Sequence, residues 1–152
     1  MYPRQHIILG FIFSAIIFFI FPSIKPIGFL IIFLSSVLID VDHYLYYVYK
    51  KKDWSLSKAY EWFVRVGEKE RKLSRKERNK HKNCFMFLHG IEILTLLYIL
   101  GAFFHTYFFY VLIGFAFHLF LDTFYEKFFN DKLEKVSVIW DYIKFKKSEN
   151  KF

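Results

Sequence analysis

Four apolar stretches of nearly membrane-spanning length dominate this 152-residue chain. A helix needs about 20 apolar residues, within a range of about 17–25, to cross a hydrocarbon core about 30 Å thick. The sequence predicts such spans at Ile7–Phe21, Ile27–Tyr49, Cys84–Phe104 and Thr106–Phe124. The first stretch is short, but it contains no charge and is followed by Pro22. We therefore expect an all-α, polytopic membrane protein built as a four-helix bundle.

The composition excludes the other common classes of protein. Hydrophobic residues make up 55% of the chain and aromatic residues 24%, yet its formal net charge is +8. A water-soluble domain of this size could not bury so much apolar surface, and an intrinsically disordered chain would not contain it. The single cysteine, Cys84, excludes a disulfide scaffold and a cysteine-based zinc finger. An integral membrane protein remains, with its charge outside the apolar part.

Basic residues lie almost entirely on one side of the predicted spans. Of the 22 Lys and Arg residues, only Lys25 lies on the opposite side from the termini and the loop 50–83. By the positive-inside rule, this asymmetry predicts a multi-pass protein of the cell membrane, inner or plasma, with both termini in the cytoplasm. The chain would then consist of a four-span domain at residues 1–125 and a basic cytoplasmic tail at residues 126–152.

The cytoplasmic loop contains an amphipathic segment, Ser55–Val66, which Gly67 is expected to interrupt. Apolar side chains recur there at helical spacing: Leu56, Tyr60, Phe63 and Val64. Such a pattern is typical of a helix that lies on the bilayer surface. The basic residues of the loop are expected to contact membrane lipids through anionic headgroups. No motif indicates nucleic-acid binding, and the sequence does not indicate an oligomeric state.

Ionisable residues occur inside or at the edge of the apolar stretches, where each costs about 2.5–3.5 kcal/mol on insertion scales. They are His6, Asp40, Asp42, His43, His89, Glu92, His118 and Asp122. At a rise of about 1.5 Å per residue, all of them fall in the cytoplasmic half of the predicted spans. We therefore expect side chains from all four spans to meet.

The spacing of these residues supports a shared site. Three pairs are three or four residues apart, which places both members on one helix face: Asp40 with His43, His89 with Glu92, and His118 with Asp122. Asp42 is turned by about 200° from Asp40 on a straight helix. We therefore expect either a distorted helix at this point or a supporting position for Asp42.

Imidazoles and carboxylates that converge in a bundle core are how helical bundles bind metal ions. Mixed nitrogen and oxygen ligation suits zinc, and also iron or manganese. The number of candidate ligands suits two ions, or one ion whose histidines are held by further carboxylates. Two metal-free alternatives remain open at this point. They are separate His–Asp hydrogen bonds between helices, and a shared polar network such as a proton relay or a transporter.

The motifs, taken in order over residues 5–125, are Gln5-His6-Ile7, Asp40-Val41-Asp42-His43, Leu88-His89-Gly90-Ile91-Glu92 and His118-Leu119-Phe120-Leu121-Asp122. This order resembles that of the membrane-bound, metal-dependent hydrolases. That family is also described as LexA-binding, inner-membrane-associated hydrolases, and it has a distant likeness to zinc-dependent phospholipase C. The chain departs from the family pattern at Ile39, where the family usually has Pro. It also has Phe87-Leu88-His89-Gly90 where the family commonly has a longer His-Arg-Gly-x-Thr-His-Ser stretch.

Residues and resemblance together predict an integral-membrane, metal-dependent hydrolase. The expected ligands of one or two divalent ions are His6, Asp40, His43, His89, His118 and Asp122. Glu92 or Asp42 is expected to act as a general base or to orient a ligand histidine. A site below the headgroups and under a basic loop suits a phospholipid or another anionic amphiphile with a phosphoester.

Other functions use the same residues differently. A non-catalytic metal-binding protein, an ion-conducting bundle or a polar-network membrane protein would use the same buried groups. A membrane adaptor would act through its basic loop and tail, but it would leave the buried ionisable residues without a role. Replacing Asp40 separates these functions. A hydrolase would lose its activity and its metal, a non-catalytic metal-binding protein would lose its metal, and an adaptor would lose little beyond stability.

Overall fold

The structure, a computed structural model, describes residues 3–74, 84–130 and 136–149, together with Glu77. This part of the chain is helical and contains no strand, which confirms the all-α prediction for it. The helices are α1 (Pro3–Ile20), α2 (Pro26–Leu38), α3 (Val41–Lys51), α4 (Leu56–Lys72), α5 (Ile91–Phe103), α6 (Tyr107–Asn130) and α7 (Val138–Glu149). Parts of the predicted basic loop and tail lie outside the described residues: 75–76, 78–83, 131–135 and 150–152.

Three helical segments are long and apolar enough to cross a membrane: Pro3–Ile20, Pro26–Lys51 (α2 continued by α3) and Tyr107–Phe128. They coincide with three of the four predicted spans. The fourth predicted span, Cys84–Phe104, differs from the expectation, because its helix α5 has only 13 residues. At about 1.5 Å per residue, α5 is about 20 Å long, which is shorter than a hydrocarbon core of about 30 Å.

Helix α2 is central, because it packs against both α1 and α6, while α5 packs against α6. Small residues allow these backbones to approach closely. Gly10 of α1 faces the hydroxyl of Ser36, and a Cβ atom added at Gly114 of α6 would lie 2.5 Å from the Ile32 carbonyl oxygen. Because Gly114 lies one turn before His118 on α6, this close packing also brings His118 to the surface of α2.

The predicted amphipathic helix is present and longer than expected, as α4. The hydroxyl of Ser55 accepts a hydrogen bond from the Lys58 amide over 3.4 Å and so caps the helix. The Ser55 amide and the Lys58 ammonium hold the pKa of Asp53 below its usual range. Gly67 does not end the helix, because a glycine inside a helix costs only about 1 kcal/mol relative to alanine.

Candidate metal centre

The structure brings together all six predicted metal ligands and Asp42 in one cluster. The ligand atoms form two groups, each with its atoms within 4.8 Å of one another: His6, His118 and Asp122, and Asp40, His43 and His89. His6 lies on α1, Asp40 between α2 and α3, His43 on α3, His89 in the segment before α5, and His118 and Asp122 on α6. The predicted convergence of several helices on one site is therefore present in the fold.

Four side-chain atoms lie close together where these two groups meet. The Nε2 atoms of His89 and His118 lie 3.3 Å apart. Asp40 Oδ1 lies 3.5 Å from His89 Nε2 and 3.4 Å from His118 Nε2. Asp122 Oδ2 lies 3.9 Å from His89 Nε2 and 3.7 Å from His118 Nε2. A tetrahedral ion with bonds of about 2.0–2.2 Å separates its ligand atoms by about 3.3–3.6 Å. These four residues are here called the tetrad, and the distances of their histidine nitrogens to each other and to the carboxylate oxygens are near those of a tetrahedral ligand set.

Asp42 determines which nitrogen of His89 faces the tetrad. The Asp42 side chain is fully buried, and its Oδ2 atom lies 2.9 Å from His89 Nδ1. Because an ionised carboxylate only accepts hydrogen bonds, His89 donates from Nδ1, and in the neutral ring its Nε2 is left as a lone pair. The same oxygen accepts from the Leu88 amide over 3.0 Å, and Asp42 Oδ1 lies 2.8 Å from His43 Nδ1. Asp42 thus holds His89 and the backbone before it.

A break between α2 and α3 provides the partner of His118. The amide of Asp40 donates to the carbonyl of Val37 over 3.4 Å, whereas a regular helix would use the carbonyl of Ser36, four residues back. The Ser36 carbonyl instead accepts from His118 Nδ1 over 2.8 Å. Since this carbonyl only accepts, His118 donates from Nδ1, and in the neutral ring its Nε2 is then a lone pair that faces the tetrad. The distortion considered from the sequence is present and orients a predicted ligand.

The two carboxylates of the tetrad have histidine partners. His6 Nε2 lies 3.1 Å from Asp122 Oδ1, and the His6 ring stacks on His118 with centroids 4.0 Å apart. His43 Nδ1 lies 3.4 Å from Asp40 Oδ1. Each tetrad residue therefore has a further group beside it, which is the usual arrangement around a protein-bound metal ion.

Asp40 and Asp42 serve one cluster although they do not share a face of a straight helix. Asp40 approaches His89 at Nε2 and Asp42 approaches it at Nδ1. Since these nitrogens point in different directions, carboxylates from different sides of α3 can both contact the ring. Asp42 thus occupies the supporting position that the sequence allows.

The cluster is accessible from one side only. The side chains of His89 and His118 are fully buried, whereas 26% of Asp40 and 24% of His43 are exposed. The ring of Phe63, from α4, lies 5.2 Å from the His43 ring. The open side of the cluster therefore adjoins the amphipathic helix α4.

Glu92 does not belong to this cluster of histidines and aspartates. The expectation that it shares a helix face with His89 is wrong, because α5 begins at Ile91 and His89 precedes it. The Glu92 carboxylate accepts hydrogen bonds from the Ser137 hydroxyl and from the amide of Val138 over 2.8 Å. Among the described residues it belongs to neither group of candidate ligands. Its role in proton transfer stays a prediction.

Two of the residues that contact this region, Ser36 and Ser137, are not among those predicted from the sequence. Ser36 contacts His118 through its backbone carbonyl, and no side chain in the sequence indicates such a contact. A helix break at Asp40 would, however, leave the carbonyl four residues earlier without its helical hydrogen bond, and that carbonyl belongs to Ser36. Ser137 lies outside the predicted spans. Its place before an apolar run is the usual signal of a helix cap.

Comparison of the chain with models of protein families, with curated proteins and with solved structures finds no match in any of the three. Fold and site together define a helical chain with helices apolar enough to cross a membrane and buried His and Asp groups that could hold a metal ion. The resemblance to membrane-bound hydrolases stays a prediction.

Proposed function

We propose that the chain is an integral-membrane, metal-dependent hydrolase. One observation supports the metal: the Nε2 atoms of His89 and His118 lie 3.3 Å apart. Both rings donate from Nδ1 to acceptors, to Asp42 and to the Ser36 carbonyl. With both rings neutral, two lone pairs and two carboxylate oxygens this close repel one another unless a metal ion or a proton lies among them. A divalent ion satisfies all four groups.

We assign one ion to the tetrad. Two imidazole nitrogens and two carboxylate oxygens suit zinc, which we propose, with iron or manganese as alternatives. The other members of the cluster then support the ligands: Asp42 and the Ser36 carbonyl orient the two rings, and His6 pairs with Asp122. His43 lies beside Asp40 and is hydrogen-bonded to Asp42. Two separate ions, one for each group of three residues, would be the other arrangement.

The accessible side of the cluster supports catalysis over a purely structural role. Structural zinc sites are closed, whereas catalytic sites keep a position open for water or substrate. Because the tetrad already supplies four ligands, a catalytic ion here would take water or substrate at a fifth position, on the side where Asp40 and His43 are partly exposed. A bound divalent ion would lower the pKa of a water molecule and polarise a substrate oxygen. Asp42 would keep His89 in its ligating tautomer, and we assign it this orienting role.

A phospholipid, or another anionic amphiphile with a phosphoester, is the proposed substrate. The open side of the cluster adjoins α4, whose Leu56 and Tyr60 side chains are exposed. Apolar side chains exposed on a basic amphipathic helix are typical of an element at a bilayer surface. An amphiphile could leave its tail in the bilayer while the basic residues of the loop 50–83 attract its headgroup. The resemblance to the membrane-bound hydrolases supports the same chemistry.

We further propose four spans in the cell membrane, with cytoplasmic termini. The fourth would consist of α5 and the non-helical residues 84–90 before it. Non-helical backbone is tolerated at membrane depth where protein buries it, and Met86, His89 and Gly90 are buried. Protease protection of tagged termini in sealed inner-membrane vesicles of known orientation tests this topology. Protection of one terminus alone would contradict it.

Hydrolysis is tested with purified protein that is stripped by a chelator and reloaded with zinc, iron or manganese. We expect metal-stimulated turnover of at least one member of a phospholipid and phosphodiester panel. Asp40→Asn should abolish this turnover, while His105→Ala, a histidine in the turn before α6, should retain it. Metal-loaded wild type without turnover on the whole panel would overturn the hydrolase and leave a metal-binding protein.

The alternative function is a metal-free polar network that holds the helices together. The distance of 3.3 Å between the two Nε2 atoms also fits a hydrogen bond from a protonated His118 to His89, with Asp40 and Asp122 as counter-charges. This alternative predicts no bound metal. It also predicts that His118→Ala lowers stability without any change in metal content.

A further inference from the structure

Glu92 is the second residue of α5, but its carboxylate serves another helix. It accepts hydrogen bonds from the Ser137 hydroxyl, from the Val138 amide over 2.8 Å and from the Ile139 amide over 3.3 Å. The first amides of a helix lack partners within that helix and favour a negative charge. Glu92 therefore caps the start of α7 from outside it.

The start of α7 also lies directly on the residues that follow His89. The Ile91 amide donates to the Val136 carbonyl over 3.0 Å. A Cβ atom added at Gly90 would lie 2.6 Å from the Val138 amide nitrogen. No side chain fits between the two segments, so a shift of α7 also shifts the backbone next to His89.

The segment before His89 is held from two directions. On one side Asp42 accepts from the Leu88 amide over 3.0 Å and from His89 Nδ1 over 2.9 Å. On the other side the ring of Phe85 lies 5.5 Å from that of Tyr142 in α7. Because residues 84–90 are not helical, these outside contacts fix the position of His89.

We propose that Glu92 is a positioning residue of the metal centre: by capping α7 it holds this helix against the segment that carries His89. This inference rests on the proposed metal site. It makes the C-terminal helix, which the sequence assigns to a basic tail, part of the support of that site. A ligand displaced by about 0.5 Å already leaves the productive geometry.

Glu92→Gln tests the inference, because the amide keeps the size of the side chain but places NH₂ donors opposite backbone donors. We expect the zinc affinity to fall about 10- to 100-fold, as for other groups that support ligands. The visible absorption spectrum of the protein loaded with cobalt(II) should also change. A thiol reagent should label Cys84, the single cysteine of the chain and the first residue of the same segment, several times faster.

Two further variants separate positioning from a general loss of folding. Ser137→Ala removes one donor to Glu92 and should produce the same changes more weakly. Gly90→Ala keeps the charge of Glu92 but places a methyl group 2.6 Å from both Glu92 Oε2 and the Val138 amide nitrogen. It should therefore push α7 away from this segment and reproduce the changes. Glu61→Gln is the matched control, because Glu61 is exposed on α4 and lies 3.7 Å from Arg65. It should leave affinity, spectrum and labelling rate unchanged.

The outcomes separate this inference from the proposed function. A wild type that binds neither zinc nor cobalt overturns the metal site and, with it, the role of Glu92. A wild type that binds both metals, together with Glu92→Gln and Gly90→Ala variants of unchanged affinity and spectrum, overturns the inference alone. Unchanged Cys84 labelling in both variants also overturns it, because α7 would then not hold the segment.

Discussion

Asp42 accepts a hydrogen bond from Nδ1 of His89 over 2.9 Å, and this contact directs Nε2 of the ring toward His118. Both side chains are fully buried, so water does not compete for the bond. The contact joins α3 to the non-helical segment before α5. It is therefore both an interhelical link and the reason that His89 presents a lone pair to the tetrad.

Asp42→Asn should weaken metal binding without abolishing it. The neutral amide is a weaker acceptor for His89 Nδ1–H, and its NH₂ group faces donors of His89, His43 or the Leu88 backbone. We expect the zinc affinity to fall about 10- to 100-fold, measured by competition with a chromogenic chelator. Asp53→Asn, the same substitution at a partly exposed residue paired with Lys58, should have no effect. Equal affinity in the Asp42 variant would contradict its orienting role.

The histidines of the cluster should fall into two classes. His118→Ala removes a tetrad ligand and should abolish stoichiometric binding. His6→Ala removes the partner of Asp122 and the ring stacked on His118, but no tetrad ligand, and should lower the affinity about 10- to 100-fold. Metal content and chelator competition distinguish the two results. Two ions per wild-type chain, with one of the two lost in each variant, would instead show that each group of three residues binds its own ion.

Two glycines should respond oppositely to alanine. In Gly114→Ala the new methyl group meets the Ser35 hydroxyl and the backbone of α2. We expect it to lower the free energy of unfolding by about 1–3 kcal/mol. In Gly67→Ala the methyl group meets nothing within 4 Å, and higher helix propensity should stabilise α4 by up to about 1 kcal/mol. Denaturant titrations in detergent micelles measure both effects. A destabilised Gly67→Ala variant, or an unaffected Gly114→Ala variant, would contradict this packing.

Metal removal should lower stability. A ligand that binds only the folded state stabilises it by about 2.7 kcal/mol at a free concentration of 100 times its Kd. We therefore expect a chelator to lower the Tm of the wild type and re-added zinc to restore it. Asp40→Asn should unfold at the same temperature with and without the chelator. A Tm of the wild type that is unaffected by the chelator would favour the metal-free network.

Length and hydropathy predict where the apolar helices lie, because an apolar run of this length has few other structures available. The pair His118 and Asp122 is predictable for the same reason, since both lie inside a long helix and share its face. The start of α5 is not predictable in this way. Residues 84–90 are also largely apolar, so hydropathy does not mark Ile91 as the first residue of the helix, and the pairing of His89 with Glu92 fails.

Contacts through the backbone are also beyond sequence reasoning. The Ser36 carbonyl is available to His118 only because the Asp40 amide bonds to Val37, and that choice depends on the packing of α2 against α6. The charge and spacing of Glu92 suggest a catalytic carboxylate. Its contact with Ser137 arises from a helix that lies more than forty residues further along the chain.

The most direct test of the account is the metal content of the detergent-purified protein, measured by plasma mass spectrometry. Asp40→Asn and His118→Ala are measured beside it, with His105→Ala as the control. We predict one ion of zinc, or of iron or manganese, per chain in the wild type and in the control, and its loss in the other two. A folded wild type that holds no metal, even after reconstitution with each of these ions, would contradict the metal centre.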